Sequence, residues 1–208
     1  MIADLHVHTR QSDGSYSFEE ALSLARAREI SCVSFVDHDT TSGTARAVAL
    51  EKTAGVLVIP GVEISAYDRK RKRKGYTDGI YGPLYRQLFK GGGIADREIE
   101  YVDVFDALRA IKTDGGRAVL AHPGQLDSYE LAVELIAEGL DGVELYHESH
   151  SISDHTRIFE LARRYPHLLL TGGSDDHGLF GSLHLIGEIR APFGAEQPFV
   201  RASESHDR

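Results

Sequence analysis

Two kinds of segment alternate along the chain, and they differ in the spacing of their hydrophobic and polar residues. Short apolar runs typical of buried strands alternate with longer segments whose apolar residues recur at i, i+3 and i+4, as on one face of a helix. The first helical segment opens with a capping-box pattern, Ser17-Phe18-Glu19-Glu20. The predicted strands cover residues 2–8, 32–36, 56–60, 118–121, 142–146, 168–171 and 183–189. The predicted helices cover residues 17–29, 43–53, 104–112, 128–138 and 153–164.

This alternation of strands and helices predicts an α/β fold with a parallel sheet. Right-handed crossovers place the C-terminal ends of all the strands on one side, and in a closed barrel that side carries the active site. Residues 67–101 lack such periodicity and are predicted to form a loop or a small insertion. This segment includes six consecutive basic residues from Arg69 to Lys74.

Composition narrows the class of protein. The chain has 208 residues, 41% of them hydrophobic and 26% charged, which suits one soluble globular domain. No apolar run approaches the roughly 20 residues that span a bilayer. The net charge of −9 argues against broad binding of nucleic-acid backbones, but it leaves room for a small phosphate ester bound through metal ions. The single Cys32 cannot form an internal disulfide and no secretory leader is visible, so we expect a cytoplasmic protein.

Histidine or a carboxylate follows nearly every predicted strand. In the first strand the side-chain period of 2 points His6 and His8 the same way. Parallel strands would bring these residues together at one edge of the sheet, so the sequence predicts a metal cluster. Its ligands would be imidazoles and carboxylates, which suit zinc, manganese or iron(II). A bridging carboxylate would hold two metals about 3.5–4 Å apart and activate water at a phosphate ester. The strand-end set is His6, His8, Asp13, His38, Glu63, His122, His147, His150, Asp175 and His177.

Five short motifs in this set resemble those of the PHP (polymerase and histidinol phosphatase) family. They occur in the family order and span residues 4 to 177. A further segment, Tyr146 to His150, looks like the free-standing phosphoesterases of the family that act on nucleotides. The five motifs are Asp4-Leu5-His6-Val7-His8 with Ser12-Asp13-Gly14, Asp37-His38-Asp39, Gly61-Val62-Glu63-Ile64-Ser65, Ala121-His122-Pro123-Gly124 and Ser174-Asp175-Asp176-His177.

The resemblance implies a distorted (β/α)7 barrel with a trinuclear centre of divalent metal ions, Mn, Zn or Fe, at the C-terminal ends of the strands. It implies that a metal-bridging hydroxide attacks phosphorus, with no catalytic side chain beyond the ligands. Arg10 and His150 are candidates for contacting the phosphate, the alternative being ordinary surface polar residues. The implied ligands are His6, His8, Glu63 and Asp175 for one metal, Glu63 and His122 for a second, and Asp13, His38 and His177 for a third.

The chain departs from the family pattern after Glu63. Family members carry another ligand histidine there, commonly with a small helical insertion, but this chain has no histidine between His38 and His122. Either the insertion is absent or a stretch has been omitted, and the abrupt run of basic residues favours omission. We therefore expect a single PHP domain over residues 1–208 with a truncated or incomplete insertion around 67–101, and two or three divalent ions.

The sequence thus predicts a metal-dependent phosphoesterase that hydrolyses phosphate monoesters of nucleotides, either mono- or 3′,5′-bisphosphates. Its expected partner is a small phosphorylated substrate, a nucleotide or an oligonucleotide end, without a membrane or stably bound duplex; the oligomeric state is open. The alternatives are a 5′-to-3′ exoribonuclease on short RNA, a histidinol phosphatase, and a non-catalytic metal-binding module, which the missing histidine motivates. The basic run is either a solvated loop or an electrostatic attraction for phosphorylated substrates.

Overall fold

Strands and helices alternate in the computed structural model of the protein, which describes residues 1–70, 100–181 and 184–204. The strands are β1 (Ala3–Val7), β2 (Cys32–Phe35), β3 (Leu57–Pro60), β4 (Ala66–Tyr67), β5 (Val102–Asp103), β6 (Val119–Leu120), β7 (Gly142–Tyr146) and β8 (Leu169–Gly172). The helices are α1 (Phe18–Ala27), α2 (Thr44–Ala54), α3 (Val104–Thr113), α4 (Tyr129–Ala137), α5 (Ile152–Arg164) and α6 (Gln197–Glu204). Within these ranges no helix is long and apolar enough to cross a membrane.

The hydrophobic pattern located most of these elements, and one prediction was wrong. The capping box of α1 forms as expected, with the Ser17 N–H donating to the Glu20 carboxylate at 2.7 Å. The strand predicted at 183–189 does not form over its described residues, 184–189, which make turns and bends. The Ile186 N–H donates to a buried carboxylate of Asp176 at 3.0 Å, so this backbone donor serves a side chain and not a neighbouring strand.

All the strand pairs are parallel, and they form the sheets β1-β2-β3, β4-β5 and β6-β7-β8. Backbone hydrogen bonds from His8 N to Asp176 O (3.0 Å) and from Asp175 N to His6 O (2.9 Å) join the segment after β8 to β1. The α/β prediction is therefore confirmed. The ladders between described residues make three sheets and do not close into a (β/α)7 barrel, so closure stays a prediction.

Two apolar clusters hold the strand ends in place. Helices α1 and α2 pack on the first sheet, where Leu22 and Val33 are fully buried, and α4 and α5 pack on the third sheet around Val143 and Ile158. Burying such a side chain stabilises the fold by about 1.5–3 kcal/mol. The polar C-terminal ends of the strands thus rest on two well-packed halves.

The two strands on either side of the predicted insertion, β4 and β5, are neighbours in one sheet. Ala66 and Tyr67 of β4 pair with Val102 and Asp103 of β5, so the described chain on either side of the segment is fixed. Of the basic run, Lys70 bonds Glu134 of α4 at 3.1 Å. Residues 71–99, which hold Arg71 to Lys74 of the basic run and most of the predicted insertion, lie outside the described residues.

A buried carboxylate ties the first strand to the end of the chain. Asp4 accepts hydrogen bonds from Ser174 N (3.0 Å) and Ser174 Oγ (2.7 Å), from Gly187 N (2.8 Å) and, more weakly, from His6 N (3.3 Å). Burial raises the pKa of Asp4 to about 6, although these hydrogen bonds act to lower it. This network fixes the register between β1 and the segment that carries Asp175 and His177.

Replacing Asp4 by asparagine should destabilise the protein by about 1–3 kcal/mol. Each carboxylate oxygen of Asp4 accepts a hydrogen bond from a backbone N–H group. In asparagine one of these oxygens is replaced by an NH₂ group, so two buried donors face each other in either orientation of the side-chain amide. Urea unfolding followed by circular dichroism measures the change. The control is Asp106→Asn, because Asp106 is exposed and its ion pair with Arg109 contributes little. Equal losses in the two variants would contradict this role for Asp4.

Candidate metal centre

The structure brings all the predicted metal ligands into one connected cluster at the C-terminal ends of the strands. Two groups of ligand atoms each lie within 4.8 Å of one another, and the last predicted ligand, His122, touches the first group through Glu63. The first group is His6, His8, Glu63 and Asp175, and the second is His8, Asp13, His38 and His177.

The two histidines of the first group are buried, and its two carboxylates are partly buried. The His6 Nε2 atom lies 3.2 Å from Glu63 Oε2 and 3.3 Å from Asp175 Oδ1. The His8 Nε2 atom lies 3.3 Å and 3.1 Å from the same two oxygens, and the His8 side chain is fully buried. Four donor atoms from three separated segments therefore converge on one small volume.

The second group shares His8 and opens toward solvent. The His177 Nε2 atom lies 3.4 Å from Asp13 Oδ1, and the His38 Nε2 atom lies 3.7 Å from Asp13 Oδ2. The Asp13 side chain is 55% exposed, so this group is the one that solvent reaches. The His8 ring spans both groups, with Nε2 in the first and Nδ1 3.7 Å from Asp13 Oδ1.

The two carboxylate oxygens of Glu63 face different histidines. Its Oε1 atom lies 2.7 Å from His122 Nε2, while its Oε2 atom faces His6. This is the arrangement expected of a bridging carboxylate. Among the described residues, no group of three ligand atoms within 4.8 Å includes His122, so the implied second metal has only Glu63 and His122 to hold it.

Two candidate ligands sit on left-handed backbone. His122 has φ of 27° and Asp175 has φ of 55°, a conformation that costs a non-glycine residue about 1–3 kcal/mol. Each is held there by a hydrogen bond from its own N–H, to Glu144 Oε2 (2.8 Å) for His122 and to His6 O (2.9 Å) for Asp175. The fold thus maintains strain at the residues whose side chains enter the cluster.

The sequence did not predict the carboxylates that support the ligands. Glu144 is buried in the middle of β7, and its Oε1 atom accepts from His6 Nδ1 at 3.1 Å. This bond directs the other ring nitrogen, Nε2, at the cluster, as second-sphere carboxylates do in metalloproteins. Asp37 accepts from the Thr9 N–H and hydroxyl, both at 2.7 Å, and from Ser12 Oγ at 2.8 Å, which shapes the turn that presents Asp13. The presence of a carboxylate within an apolar strand was the feature of the sequence that could have indicated a buried role for Glu144.

His147 is a further member that the predicted ligand set omitted. Its side chain is fully buried, and its Nε2 atom lies 3.2 Å from Asp175 Oδ2. The ring centroid lies 4.9 Å from that of His122. Its place in the sequence, directly after β7, marked it only as one of the strand-end histidines.

The two predicted phosphate contacts are engaged elsewhere. Arg10 donates to Ser15 O at 2.7 Å and pairs with Glu20 at 3.0 Å. The His150 Nδ1–H donates to Leu145 O at 2.8 Å, and its Nε2 accepts from Gly124 N at 3.2 Å. Both ring nitrogens of His150 therefore hold backbone around the site, and phosphate contact by either residue stays a prediction.

Charge in the cluster is balanced by protons on its histidines. Burial disfavours a charged His6, yet Glu144, Glu63 and Asp175 raise the pKa of His6 well above its usual value. Burial likewise opposes ionisation of Glu63, but His6 and His122 hold the pKa of Glu63 well below its usual range. A divalent cation would replace such protons with positive charge of its own.

The donor set fits a metal ion. Both ring nitrogens of the fully buried His8 lack hydrogen-bond geometry, although carboxylate oxygens approach them closely. A ring nitrogen that offers its lone pair to two carboxylates is repelled unless a cation lies between them. Imidazole and carboxylate ligands without thiolate suit Zn²⁺, Mn²⁺ or Fe²⁺.

Comparison with known proteins adds independent information. The family model described as PHP domain matches residues 4–185. A phosphoribosyl 1,2-cyclic phosphate 1,2-diphosphodiesterase from Eggerthella lenta is 38% identical over 92% of this chain and 100% of its own length. A 3′,5′-nucleoside bisphosphate phosphatase from Chromobacterium violaceum is 26% identical over 84% of this chain and 86% of its own. A crystal structure from Bifidobacterium adolescentis, described provisionally as a metal-dependent phosphoesterase, shares the fold with a TM-score of 0.80, 22% identity and 96% coverage of both chains.

The metal-free protein should lose stability as the pH rises from 6.5 to 9. Burial disfavours the charged ring, but Asp13 outweighs burial and raises the pKa of His177 from 6.5 to about 9. In this window the folded chain holds a proton that the unfolded chain releases, so the stabilisation is complete below pH 6.5 and is lost toward pH 9. His177 contributes at most about 3 kcal/mol to this loss.

Urea unfolding in EDTA at several pH values measures this dependence. His177→Gln is the control and should make the curve less steep, because it removes the contribution of His177 and leaves those of His6 and His122, whose pKa values are also raised. Stability that stays level or rises over the same window in the unmodified protein would contradict the assignment.

Proposed function

The chain belongs to the PHP domain family, and from this premise we propose that it hydrolyses a phosphate ester carried on a ribose, using divalent metal ions held by the two ligand groups around His8. The observation that carries the proposal is the pair of adjoining groups that share this histidine. The family match and the 38% identical relative confirm the predicted family and the predicted enzyme class, a hydrolase of phosphoric ester bonds.

The ligand roles in this proposal follow the motifs. His6, His8, Glu63 and Asp175 would hold one ion, Asp13, His38 and His177 another, and Glu63 with His122 a third. Bound there, the ions would lower the pKa of a coordinated water and neutralise phosphoryl oxygens. Glu144 keeps the Nε2 atom of His6 directed at its ion, and Asp37 keeps Asp13 presented at the open side.

Electrostatics supports the need for metal. The carboxylates of Asp13, Glu63, Glu144 and Asp175 crowd one pocket, and the opposing histidine charges hold the pKa values of all four below their usual range even though burial acts to raise them. A phosphate dianion approaching these carboxylates would be repelled by charges a few ångströms away. Divalent ions would reverse that sign and turn the pocket into a phosphate site.

The ribose follows from what the relatives share. One relative is named for a phosphoribosyl cyclic phosphate and the other for a nucleoside bisphosphate. The higher identity and full coverage of the first make a cyclic phosphate of phosphoribose the first substrate to test. The nucleotide monoesters predicted from the sequence, supported by the second relative, are the second candidate.

The length of one relative bears on the expected insertion. The alignment with the 38% identical relative extends over 263 positions, more than the 208 residues of the chain. The relative therefore has residues without a counterpart here, which supports the expectation of a single domain with a truncated or incomplete insertion.

The purified protein with Mn²⁺ should turn over at least one of three substrates: 5-phosphoribosyl 1,2-cyclic phosphate, adenosine 3′,5′-bisphosphate, or a short 5′-phosphorylated RNA. Phosphorus NMR and chromatography identify the products. Loss of the cyclic phosphate signal or release of inorganic phosphate supports the phosphoesterase, whereas mononucleotides from RNA favour the exoribonuclease. EDTA should abolish turnover. No metal-dependent turnover on the whole panel, despite bound metal, would favour the non-catalytic module.

His38→Ala should lower kcat by roughly 100-fold or more, since loss of even an outer-sphere partner costs up to about that much. Elemental analysis should find close to one metal fewer per chain, because His38 belongs only to the second group. His167→Ala is the matched control, as His167 is exposed and lies in neither group. Full activity with unchanged metal content would remove His38 from the site.

A further inference from the structure

We propose that His147 is a positioning residue that holds Asp175 so that a single carboxylate oxygen faces the ligand groups. The inference rests on the proposed metal-dependent function. It concerns a histidine to which neither the motifs nor the grouping of ligand atoms gives a role.

The hydrogen bonds of His147 fix its tautomer. The Ser149 hydroxyl lies 2.8 Å from His147 Nδ1 and can donate or accept, but the backbone N–H of Ser149, 3.1 Å from the same atom, can only donate. The Nδ1 atom must therefore be the unprotonated acceptor, and the neutral ring carries its proton on Nε2. That Nε2–H faces Asp175 Oδ2 at 3.2 Å and donates to it.

The two oxygens of Asp175 consequently face different partners. The Oδ1 atom lies 3.3 Å from His6 Nε2 and 3.1 Å from His8 Nε2, inside the first ligand group. The Oδ2 atom faces His147. The His147 side chain is fully buried, and the Asp175 backbone is held by its N–H bond to His6 O, so the hydrogen bond between the two side chains sets which oxygen faces which partner.

This division matters for a catalytic metal. A catalytic ion needs a coordination position open to water or substrate, unlike a structural ion. A free Oδ2 could join Oδ1 on the same ion and fill that position. The hydrogen bond from His147 keeps Asp175 monodentate and the position open, which is how outer-sphere partners commonly tune metal sites.

The rival role for His147 is to replace the ligand histidine that the chain lacks after Glu63. Its ring lies near His122, with 4.9 Å between the centroids. Both of its nitrogens are already used, however, Nδ1 by Ser149 and Nε2 by Asp175. The contacts therefore favour positioning, and ligation becomes one of the outcomes that the experiment separates.

The test compares His147→Gln, whose amide can still donate to Asp175, with His147→Leu, which cannot. Both should keep the metal content of the unmodified protein. The Leu variant should lose about 10–100-fold in kcat with a small change in KM, and the Gln variant should recover most of the loss. His167→Ala, at an exposed histidine outside both ligand groups, is the control and should leave kcat within about twofold of the unmodified value.

Cobalt substitution gives a readout that does not depend on turnover. A second oxygen of Asp175 on the ion raises its coordination number, so the visible absorption of the Co²⁺-loaded Leu variant should weaken while that of the Gln variant stays unchanged. If the Leu variant does not fold, His147→Phe keeps a ring without the donor.

Each outcome decides the proposal. Loss of a metal from both the Gln and the Leu variants would identify His147 as a ligand. Equal impairment of the two variants with full metal, or an unchanged Co²⁺ spectrum and full activity in the Leu variant, would also overturn positioning. If the unmodified protein turns over no phosphate ester, the proposed function fails, and the Co²⁺ spectra still decide whether His147 holds Asp175.

Discussion

The structure depends on balancing the negative charge that its strand ends concentrate in one buried place. Parallel strands carry Asp13, Glu63 and Asp175 to the same side of the sheets, with Glu144 behind them. Isolated carboxylates in such a setting would be costly, because burial penalises their charged forms. Histidines lie among these carboxylates, which raise the pKa of His6 well above its usual value. When no metal is bound, the histidines therefore supply the protons that balance the charge. The same ring nitrogens are ready to exchange those protons for a divalent cation.

Rigid support keeps this charged cluster assembled. Asp4 and Asp37 are buried carboxylates outside the ligand groups, and each accepts several hydrogen bonds from the loops that present the ligands. Left-handed backbone at His122 and Asp175 shows that the surrounding hydrogen bonds determine the ligand geometry against local preference. A site held in this way can bind metal without first reorganising, and it can keep selected coordination positions open.

The strands and the clustering of the polar residues that follow them could be predicted from the sequence. Hydrophobic periodicity locates the strands, and residues that follow neighbouring parallel strands lie at the same edge of the sheet. Glu144 was missed because it lies within an apolar strand, where its contact with His6 depends on residues 138 positions apart. The strand predicted at 183–189 was wrong because apolar character does not reveal that the Ile186 and Gly187 N–H groups bond Asp176 and Asp4. Arg10 and His150 looked available for phosphate, and only the fold shows their polar atoms engaged with other parts of the protein.

Divalent ions should occupy neighbouring positions around His8. Electron paramagnetic resonance during titration with Mn²⁺ detects such neighbouring ions. The spectrum of bound Mn²⁺ should pass, as ions are added, from isolated signals to the closely spaced multiline pattern of exchange-coupled ions. A spectrum that keeps the six lines of isolated Mn²⁺ at saturation, with one ion per chain, would contradict it.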